Sequence, residues 1–535
     1  MARRHDRDPD ENVTTPFPMA PVSNGEWVPH GFTPRQRAAE KVVAEEAERI
    51  AKRHNMTRAQ FLRTAAGTML GFSVLNRIYG LDAWGDNAVL PVRKVECEDL
   101  DAARERLTMD PYFILDVQTH HVDTKFPVFK NNPGLFCLRF CREVGDPICR
   151  VDENGIEVLG QNNYIREMFL DSETHVAVMS GLPSGTPCGP EAMAETRDLA
   201  NQLAGSERCL TQAVIDPNID NATIPYFPPT PEGQKTRIES MEHQVRDLGA
   251  RAVKTYTYNG NYRLDDEAIA YPMYEEMQRL GLSLLNCHKG LPAQFAVGSA
   301  ESVRTIDLPK AVRDWPTLKF CAYHSGYFEQ IDDTSNPLRH PLGKFGITEF
   351  IEVVQGMPKK DRKRVYAEIG STFAITLIQD GGATCGNGPP PTGPLNAAHF
   401  IGQLLKTLGP KNILWGTDSI WWGSPQWLID AFKVLQIPAE LQQQFGYPAL
   451  GKKEKKLIFG LNAAKLYGVK KKARKNLCSI PEDAVGSPSG AFVDPDDRIA
   501  ALQRAVGGPY ATRRLHVYGP QTRRDFIKRF GWKYG

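Results

Sequence analysis

The sequence predicts an α/β protein built around a (β/α)8 TIM barrel, with a helical extension before the barrel and a tail after it. Short apolar runs alternate with longer amphipathic runs from about residue 112 to residue 467, as in repeated βα units around a parallel sheet. Eight of the short runs qualify as strands, the number that closes such a barrel. Turn-forming residues and then a helical stretch follow each of them.

The predicted strands are short, apolar and bounded by Gly, Pro, Asn or Asp. In chain order they are FILDVQTH, HVAVMSGLP, LTQAVIDP, ARAVKTYT, LSLLNCH, LKFCAYH, RVYAEIGS and NILWGTD.

Composition changes along the chain predict four segments. Residues 1–32 are rich in Pro, Asp, Asn and Arg and are typical of an extended arm. Residues 33–108 form a helical extension, because Thr33 and Pro34 precede strong helix formers with i, i+4 charge pairs. The barrel follows over residues 109–470. Residues 471–535 form a partly helical tail that opens with a basic stretch.

The run TRAQFLRTAAGTMLGFSVLN, residues 57–76, resembles a degenerate twin-arginine export signal. Ala59 stands where the second arginine belongs, and the apolar run is shorter than the ~20 residues that cross a bilayer. A retained helix and a cytoplasmic protein are therefore expected. Export or membrane association through this segment is the alternative.

The charge balance bears on the partners of the protein. Lys and Arg total 65 against 63 Asp and Glu, a net charge of +2, so electrostatics give no reason to expect a nucleic acid partner. A small-molecule substrate is expected, with no transmembrane segment. Ten cysteines in 535 residues are too few for a disulfide scaffold and favour a reducing compartment. The terminal arms favour a homo-oligomer, because an arm without its own core becomes ordered by packing on another surface.

Residues that can bind a metal lie where the predicted strands end. Chemistry in such barrels sits at the carboxyl ends of the strands, and a catalytic divalent metal accepts imidazole and carboxylate ligands. His120, His288, His324 and Asp418 occupy such positions. Because strand side chains alternate, Gln118 and His120 face the barrel axis together and His121 points away.

The ordered series QTH, CH, AYHSG and WGTD resembles the amidohydrolase superfamily, in particular the branch with aminocarboxymuconate-semialdehyde decarboxylase and resorcylate-type decarboxylases. The resemblance covers residues 112–467. It implies that His120 and His288 bind a metal, that Asp418 binds it and holds a water or substrate oxygen, and that His324 is the general acid or base.

Gln118 departs from this pattern, because it replaces the first histidine of the pair on the first strand. An amide oxygen is a poorer ligand for Zn²⁺ than an imidazole. One divalent metal is expected, most readily Zn²⁺, with Mn²⁺, Fe²⁺ or Mg²⁺ as alternatives. Gln118 is a candidate ligand of this metal.

Further candidates for substrate binding lie on the same rim. Lys254 is a substrate-binding cation or a member of a structural ion pair. Glu368 orients a ligand, contacts substrate, or is a hydrogen-bonded buried glutamate. Trp421 and Trp422 favour a planar or apolar substrate. Arg339, in the long loop after His324, is placed to pair with a substrate carboxylate.

These residues predict a metal-dependent hydrolase that uses a metal-activated water on a small aromatic or cyclic amide, ester or lactone. Non-oxidative decarboxylation of an aromatic or unsaturated carboxylic acid fits the same residues. A third interpretation, from another class of function, is a non-catalytic barrel that serves as a subunit of an assembly.

Overall fold

A computed structural model describes residues 14–21, 33–82, 84, 88–123, 160–182, 187–218, 231–292, 300–331, 334–336, 338–380 and 393–475. Most of the predicted N-terminal arm, residues 1–13 and 22–32, lies outside the described residues. So does the predicted tail beyond residue 475. Association through these segments stays a prediction.

Parallel strands form the centre of the molecule. Each predicted strand is confirmed, and the third is divided in two at Gln212. The strands are β1 Leu115–Thr119, β2 Val176–Met179, β3 Cys209–Thr211, β4 Ala213–Val214, β5 Val253–Thr255, β6 Leu284–Gly290, β7 Lys319–Tyr327, β8 Val365–Glu368 and β9 Ile413–Leu414.

Hydrogen bonds join these strands into a closed barrel. β1 to β3 form one sheet and β4 to β9 another, and β3 continues into β4 after one residue. The backbone N–H of Val117 donates to the oxygen of Trp415 at 3.0 Å, and that of Asp418 donates to the oxygen of Gln118 at 2.9 Å. These bonds connect β1 to the chain that leaves β9. The predicted α/β barrel is therefore confirmed.

The interior of the barrel is filled by side chains below the carboxyl ends of the strands. Leu115 and Val117 from β1 pack with Val176 and Val178 from β2, and Tyr323 from β7 belongs to the same cluster. The hydroxyl of Tyr323 donates to the oxygen of Val117 at 2.7 Å. Because the interior is packed, a substrate has access only to the strand ends.

Helices connect the strands and extend the barrel on its N-terminal side. In the described residues they are α1 Pro34–Arg53, α2 Arg58–Leu62, α3 Ala65–Ile78, α4 Lys94–Glu98, α5 Leu100–Thr108, α6 Gln161–Phe169, α7 Pro190–Ala204, α8 Pro231–Arg246, α9 Ala270–Arg279, α10 Leu308–Asp314, α11 Thr348–Gly356, α12 Lys359–Arg362, α13 Thr372–Ile378, α14 Pro394–Leu408, α15 Gln426–Val434, α16 Ala439–Phe445, α17 Lys452–Lys456, α18 Asn462–Leu466 and α19 Lys471–Lys475. Short 3₁₀ turns cover Ala300–Val303 and Pro410–Asn412, and a π-helical turn covers Leu457–Leu461.

The segment that resembles an export signal forms α2 and α3, which are part of the folded core. The helix is interrupted between them because the Thr64 hydroxyl accepts the N–H of Gly67 and caps a new helix. Every residue from Ala65 to Asn76 is buried. Among the described helices, none is both long and apolar enough to cross a membrane.

Residues 14–21, the described part of the predicted arm, pack against the same chain. The ring of Phe17 stacks on Trp427 at 5.2 Å between centroids and contacts Phe72 at the same separation. A side chain at Gly71 would collide with the Phe17 ring, so this glycine makes room for the segment. Phe17 thus links the N-terminal residues to α3 and α15.

We expect Phe17→Ala to lower the free energy of unfolding by ~3–5 kcal/mol, because it removes a ring that is 0% exposed and leaves a cavity. Chemical denaturation measures this change. Leu342→Ala is the control, since Leu342 is 64% exposed and its removal should change stability by less than about 0.5 kcal/mol. Equal effects of the two substitutions would contradict the described packing of Phe17.

Candidate functional site

Four side chains surround the carboxylate of Asp418 at the carboxyl end of the barrel. The amide Nε2 of Gln118 lies 2.9 Å from Asp418 Oδ1, and His120 Nε2 lies 3.1 Å from the same oxygen. The Ser371 hydroxyl donates to Asp418 Oδ2 at 2.5 Å. His324 Nε2 lies 3.4 Å from the amide nitrogen of Gln118. We call these five residues the Asp418 cluster.

Barrel closure brings the cluster together. Gln118 and His120 lie at the end of β1, and Asp418 lies in the segment that bonds to β1 from the other edge of the sheet. The predicted alternation of β1 is confirmed, since His121 Nε2 instead pairs with the Thr196 hydroxyl at 2.8 Å.

Asp418 is held in its ionised form. Burial by itself would raise its pKa, but the hydrogen bond and charge of His120, together with the hydrogen bond of the Ser371 hydroxyl, outweigh burial and hold the pKa well below its usual range. The cluster is therefore organised around a buried anion.

The hydrogen bonds of His324 fix which ring nitrogen carries the proton. Its Nδ1 lies 2.8 Å from the oxygen of Gly370, and a carbonyl oxygen can only accept. In the neutral ring, Nε2 therefore has the lone pair and faces the cluster. Burial lowers the pKa of His324 to about 4, which favours this neutral form.

His288 lies beside the cluster, and one of its ring nitrogens forms a hydrogen bond with the backbone. Its Nε2 is 3.1 Å from the oxygen of Leu291, so this nitrogen donates. Its ring contacts that of His324 edge-on at 4.6 Å. Any metal ligation by His288 would therefore use Nδ1.

The donors can be tested against the predicted metal. In the described part of the chain, no three His, Cys, Asp or Glu side chains form a metal-ligating group. Two donors that bind one cation at right angles lie roughly 3 Å apart, which is the separation of His120 Nε2 from Asp418 Oδ1. The Gln118 Oε1 atom is buried without a hydrogen-bond partner in the described structure. Rotation of this amide by 180° would direct Oε1 at the cation.

The residues present thus fit a cation held by Gln118, His120 and Asp418. One imidazole, one amide oxygen and one carboxylate form a mixed nitrogen and oxygen donor set of the kind that binds a divalent cation.

Lys254 and Glu368 are fully buried near the cluster. The ammonium of Lys254 lies 3.8 Å from the ring centre of Tyr323 and 4.7 Å from that of Tyr256. The charge of Lys254 lowers the pKa values of His324 and Glu368.

Burial has the larger effect on Glu368 and raises its pKa to about 8. The Glu368 carboxylate accepts the N–H groups of His324, at 3.0 Å, and Gly370. Glu368 therefore orients the strand ends that hold the cluster.

Of the predicted aromatic and arginine residues, Trp421 and Trp422 contact members of the Asp418 cluster, and Arg339 has no described contact with it. The Trp421 ring lies over that of His120, 6.0 Å away and tilted by 26°. Trp422 is fully buried and donates its indole N–H to the Ser371 hydroxyl at 3.0 Å. The Nε of Arg339 instead donates to the oxygen of Ile331 within its own loop.

Two supporting residues were not found from the sequence. The Asp116 carboxylate accepts the hydroxyl and N–H of Thr417, at 2.5 and 3.1 Å, and so fastens β1 to the segment that bears Asp418. Ser371 has a φ of 54°, in the left-handed region. A serine after EIG gives no sequence signal for this conformation. Five non-glycine residues with positive φ lie at the ends of β6 to β9: Leu291, His324, Ser325, Ser371 and Asp418.

We expect Gly416→Ala to disrupt the cluster. A Cβ at Gly416 would lie inside van der Waals contact with the carboxylate of the buried Glu368. Such overpacking should lower the free energy of unfolding by ~1–3 kcal/mol and displace the strand ends, as measured by denaturation and turnover.

The control is Gly356→Ala at the end of α11, where a Cβ would meet no atom within 4 Å. It should be neutral or stabilising by up to about 1 kcal/mol. A stable and unimpaired Gly416→Ala protein would contradict the described contact.

Comparisons with solved structures return matches of low sequence identity and low TM-score. A 5-carboxyvanillate decarboxylase from Sphingomonas paucimobilis is 13% identical over 67% of this chain and 99% of its own, with a TM-score of 0.38. A probable 2-pyrone-4,6-dicarboxylic acid hydrolase from Acinetobacter baumannii is 14% identical over 66% and 99%, with a TM-score of 0.33. A dihydroxybenzoic acid decarboxylase from a Polaromonas species, solved with manganese, is 12% identical over 68% and 99%, with a TM-score of 0.36.

At these values the activities and the metal belong to those proteins alone. No curated protein sequence matches this chain.

The comparison with family models establishes the family of this chain. The amidohydrolase family model matches residues 202–469, half of the 535 residues, and covers the strands that carry Lys254, His288, His324, Glu368 and Asp418. The match agrees with the closed barrel and with the family predicted from the strand-end motifs. The chain therefore belongs to the amidohydrolase family of enzymes.

Proposed function

We propose that this chain is a metal-dependent hydrolase that acts on a small aromatic or cyclic amide, ester or lactone. The observation that supports it most is the convergence of Gln118, His120 and His324 on the ionised carboxylate of Asp418 at the open end of the barrel. An anion and a neutral imidazole, held together away from solvent, can take a proton from a water molecule and pass it to a leaving group.

His324 is the proposed general acid and base. Its Nδ1–H is held by the oxygen of Gly370, so its Nε2 lone pair is directed at the cluster before any substrate arrives. Asp418 is proposed to hold the attacking water through Oδ1, the oxygen that faces Gln118 and His120, while Ser371 holds Oδ2. Lys254 is proposed to stabilise negative charge on the substrate, with Glu368 supporting the same strand ends.

Gln118, His120 and Asp418 are the proposed holders of one divalent cation, with His288 as a further candidate through Nδ1. When bound, the cation would polarise a carbonyl group and make a water molecule more acidic. Zn²⁺, Mn²⁺, Mg²⁺ and Fe²⁺ are the candidate cations.

We expect protein purified without added metal to contain close to one equivalent of Mn, Fe or Mg, or of Zn, by elemental analysis. His120→Ala should lose most of it, because one of the proposed ligands is gone. His121→Ala is the matched control, since this neighbouring and equally buried histidine bonds to Thr196 instead. Metal-free native protein, or equal loss in both variants, would contradict the proposed site.

Decarboxylation of an aromatic acid is the second candidate. It is favoured by the aromatic rings around the histidines, with Trp421 over His120 and Tyr258 edge-on to His288 at 4.6 Å. A planar ring could stack between such groups. In this reaction His324 Nε2 would first take the proton of the substrate's carboxyl group and then deliver it to the ring carbon as CO₂ leaves.

A panel of aromatic amides, lactones and carboxylic acids distinguishes the two reactions. Incorporation of ¹⁸O from labelled water indicates hydrolysis, and release of CO₂ indicates decarboxylation. For the substrate that is turned over, we expect His324→Asn to lower kcat by about 10²–10⁴-fold, because it removes the proton-transfer group.

The control is His399→Asn, a buried histidine that packs on Phe445 and Tyr447 away from the cluster. Unchanged kcat in His324→Asn would contradict the assigned role. A protein that turns over nothing and binds no metal would support the non-catalytic assembly subunit.

We infer that the protein acts in the cytoplasm. Ten cysteines in 535 residues are too few for a disulfide scaffold, which favours a reducing compartment.

A further inference from the structure

We propose that Ser371 is a positioning residue that fixes the carboxylate of Asp418, and that the indole of Trp422 holds Ser371 in turn. The inference rests on the proposed function, because it concerns how the proposed catalytic carboxylate is oriented. It assigns a role to a serine that no motif singled out.

The direction of the two hydrogen bonds follows from their chemistry. An indole N–H can only donate, so the Ser371 oxygen accepts from Trp422 Nε1 at 3.0 Å. The single proton of the Ser371 hydroxyl is then free to be donated to Asp418 Oδ2 at 2.5 Å. An ionised carboxylate can only accept, which agrees with this direction.

The two carboxylate oxygens of Asp418 therefore have different partners. Oδ2 faces Ser371, and Oδ1 faces Gln118 and His120. The side-chain torsion that rotates an aspartate carboxylate has a broad energy profile, so it needs an external hold. Without the hydroxyl, Oδ2 loses the Ser371 contact, and the carboxylate can turn away from the histidines.

The backbone of Ser371 indicates that the side chain is needed. Its φ of 54° is costly for a residue with a Cβ and free of cost for glycine. Glycine at this position would relieve the strain but would carry no hydroxyl. The presence of serine instead of glycine in this conformation is what a demand for the hydroxyl predicts.

Trp422 is itself immobilised by aromatic packing. Its ring lies 6.4 Å from that of Trp427, which stacks on Phe17 with an angle of 10°. All three rings are buried. The support of Asp418 therefore extends through Ser371, Trp422 and Trp427 to the N-terminal segment, outside the region that the family model matches.

The test compares Ser371→Ala with Ser371→Gly. Both remove the hydroxyl, but alanine keeps the backbone strain and glycine relieves it. We expect both to lower Mn²⁺ affinity, measured by electron paramagnetic resonance, or kcat by about 10–100-fold with little change in KM. We expect the glycine variant to have the higher Tm of the two. Trp422→Phe keeps an aromatic ring, removes the N–H, and should give a smaller loss in the same direction.

Ser424→Ala is the matched control. Ser424 is a buried serine in the same region whose hydroxyl donates to the oxygen of Asp171 at 2.8 Å. This variant should keep both Mn²⁺ affinity and kcat. If Ser371→Gly keeps wild-type affinity and kcat, the hydroxyl has no positioning role and the inference is overturned.

A failure of the proposed function gives a different result. Wild-type protein that binds no Mn²⁺ and turns over no substrate would refute that function. The contact is then judged by the Tm values of Ser371→Ala, Asp418→Ala and the double variant. Non-additive Tm changes support the hold of Ser371 on Asp418, and additive changes overturn it.

Discussion

The buried negative charge of Asp418 is the constraint on which the rest of the site depends. A carboxylate taken out of water stays ionised only if donors replace its hydration. Here the donors come from separate parts of the chain: Gln118 and His120 at the end of β1, and Ser371 after β8. Closure of the barrel between β1 and β9 is what brings these parts within hydrogen-bond distance. The fold and the charge therefore support one another.

The backbone around the cluster is shaped for the same purpose. His324, Ser371 and Asp418 all have positive φ values. His324 lies among the last residues of β7, and Ser371 and Asp418 follow β8 and β9 at the open side of the barrel. Such conformations persist only where the surrounding structure imposes them. Buried Glu368 accepts the N–H of His324 and leaves no room for a side chain at Gly416, so it helps to impose them. The strained turns direct His324 and Asp418 towards each other.

Much of the fold could be predicted from sequence, because it depends on local patterns. The alternation of apolar runs predicted each strand, and the two-residue period of β1 predicted that Gln118 and His120 share a face while His121 does not. The position of a residue at a strand end then predicted the members of the cluster that carry His or Asp. Family membership followed from the order of these motifs along the chain.

The rest depends on contacts between residues distant in sequence. Ser371 and Asp116 act through hydrogen bonds across 47 and 301 positions, which no local pattern encodes. The packing of Phe17 on Trp427 is of the same kind. Arg339 was a plausible carboxylate partner by type, but its guanidinium is used inside its own loop. His288 was expected to be a metal ligand from its place at a strand end, and no local pattern encodes the turn of its Nε2 towards the oxygen of Leu291.

The central claim is that Gln118, His120 and Asp418 hold a cation at the end of the barrel. A crystal structure of the protein with Mn²⁺, with anomalous data collected at the manganese edge, tests this most directly. We predict one anomalous peak within about 2.0–2.4 Å of His120 Nε2, Asp418 Oδ1 and the Gln118 amide oxygen, with that amide rotated relative to the metal-free protein. A peak elsewhere in the barrel, or no peak at saturating Mn²⁺, would contradict the account.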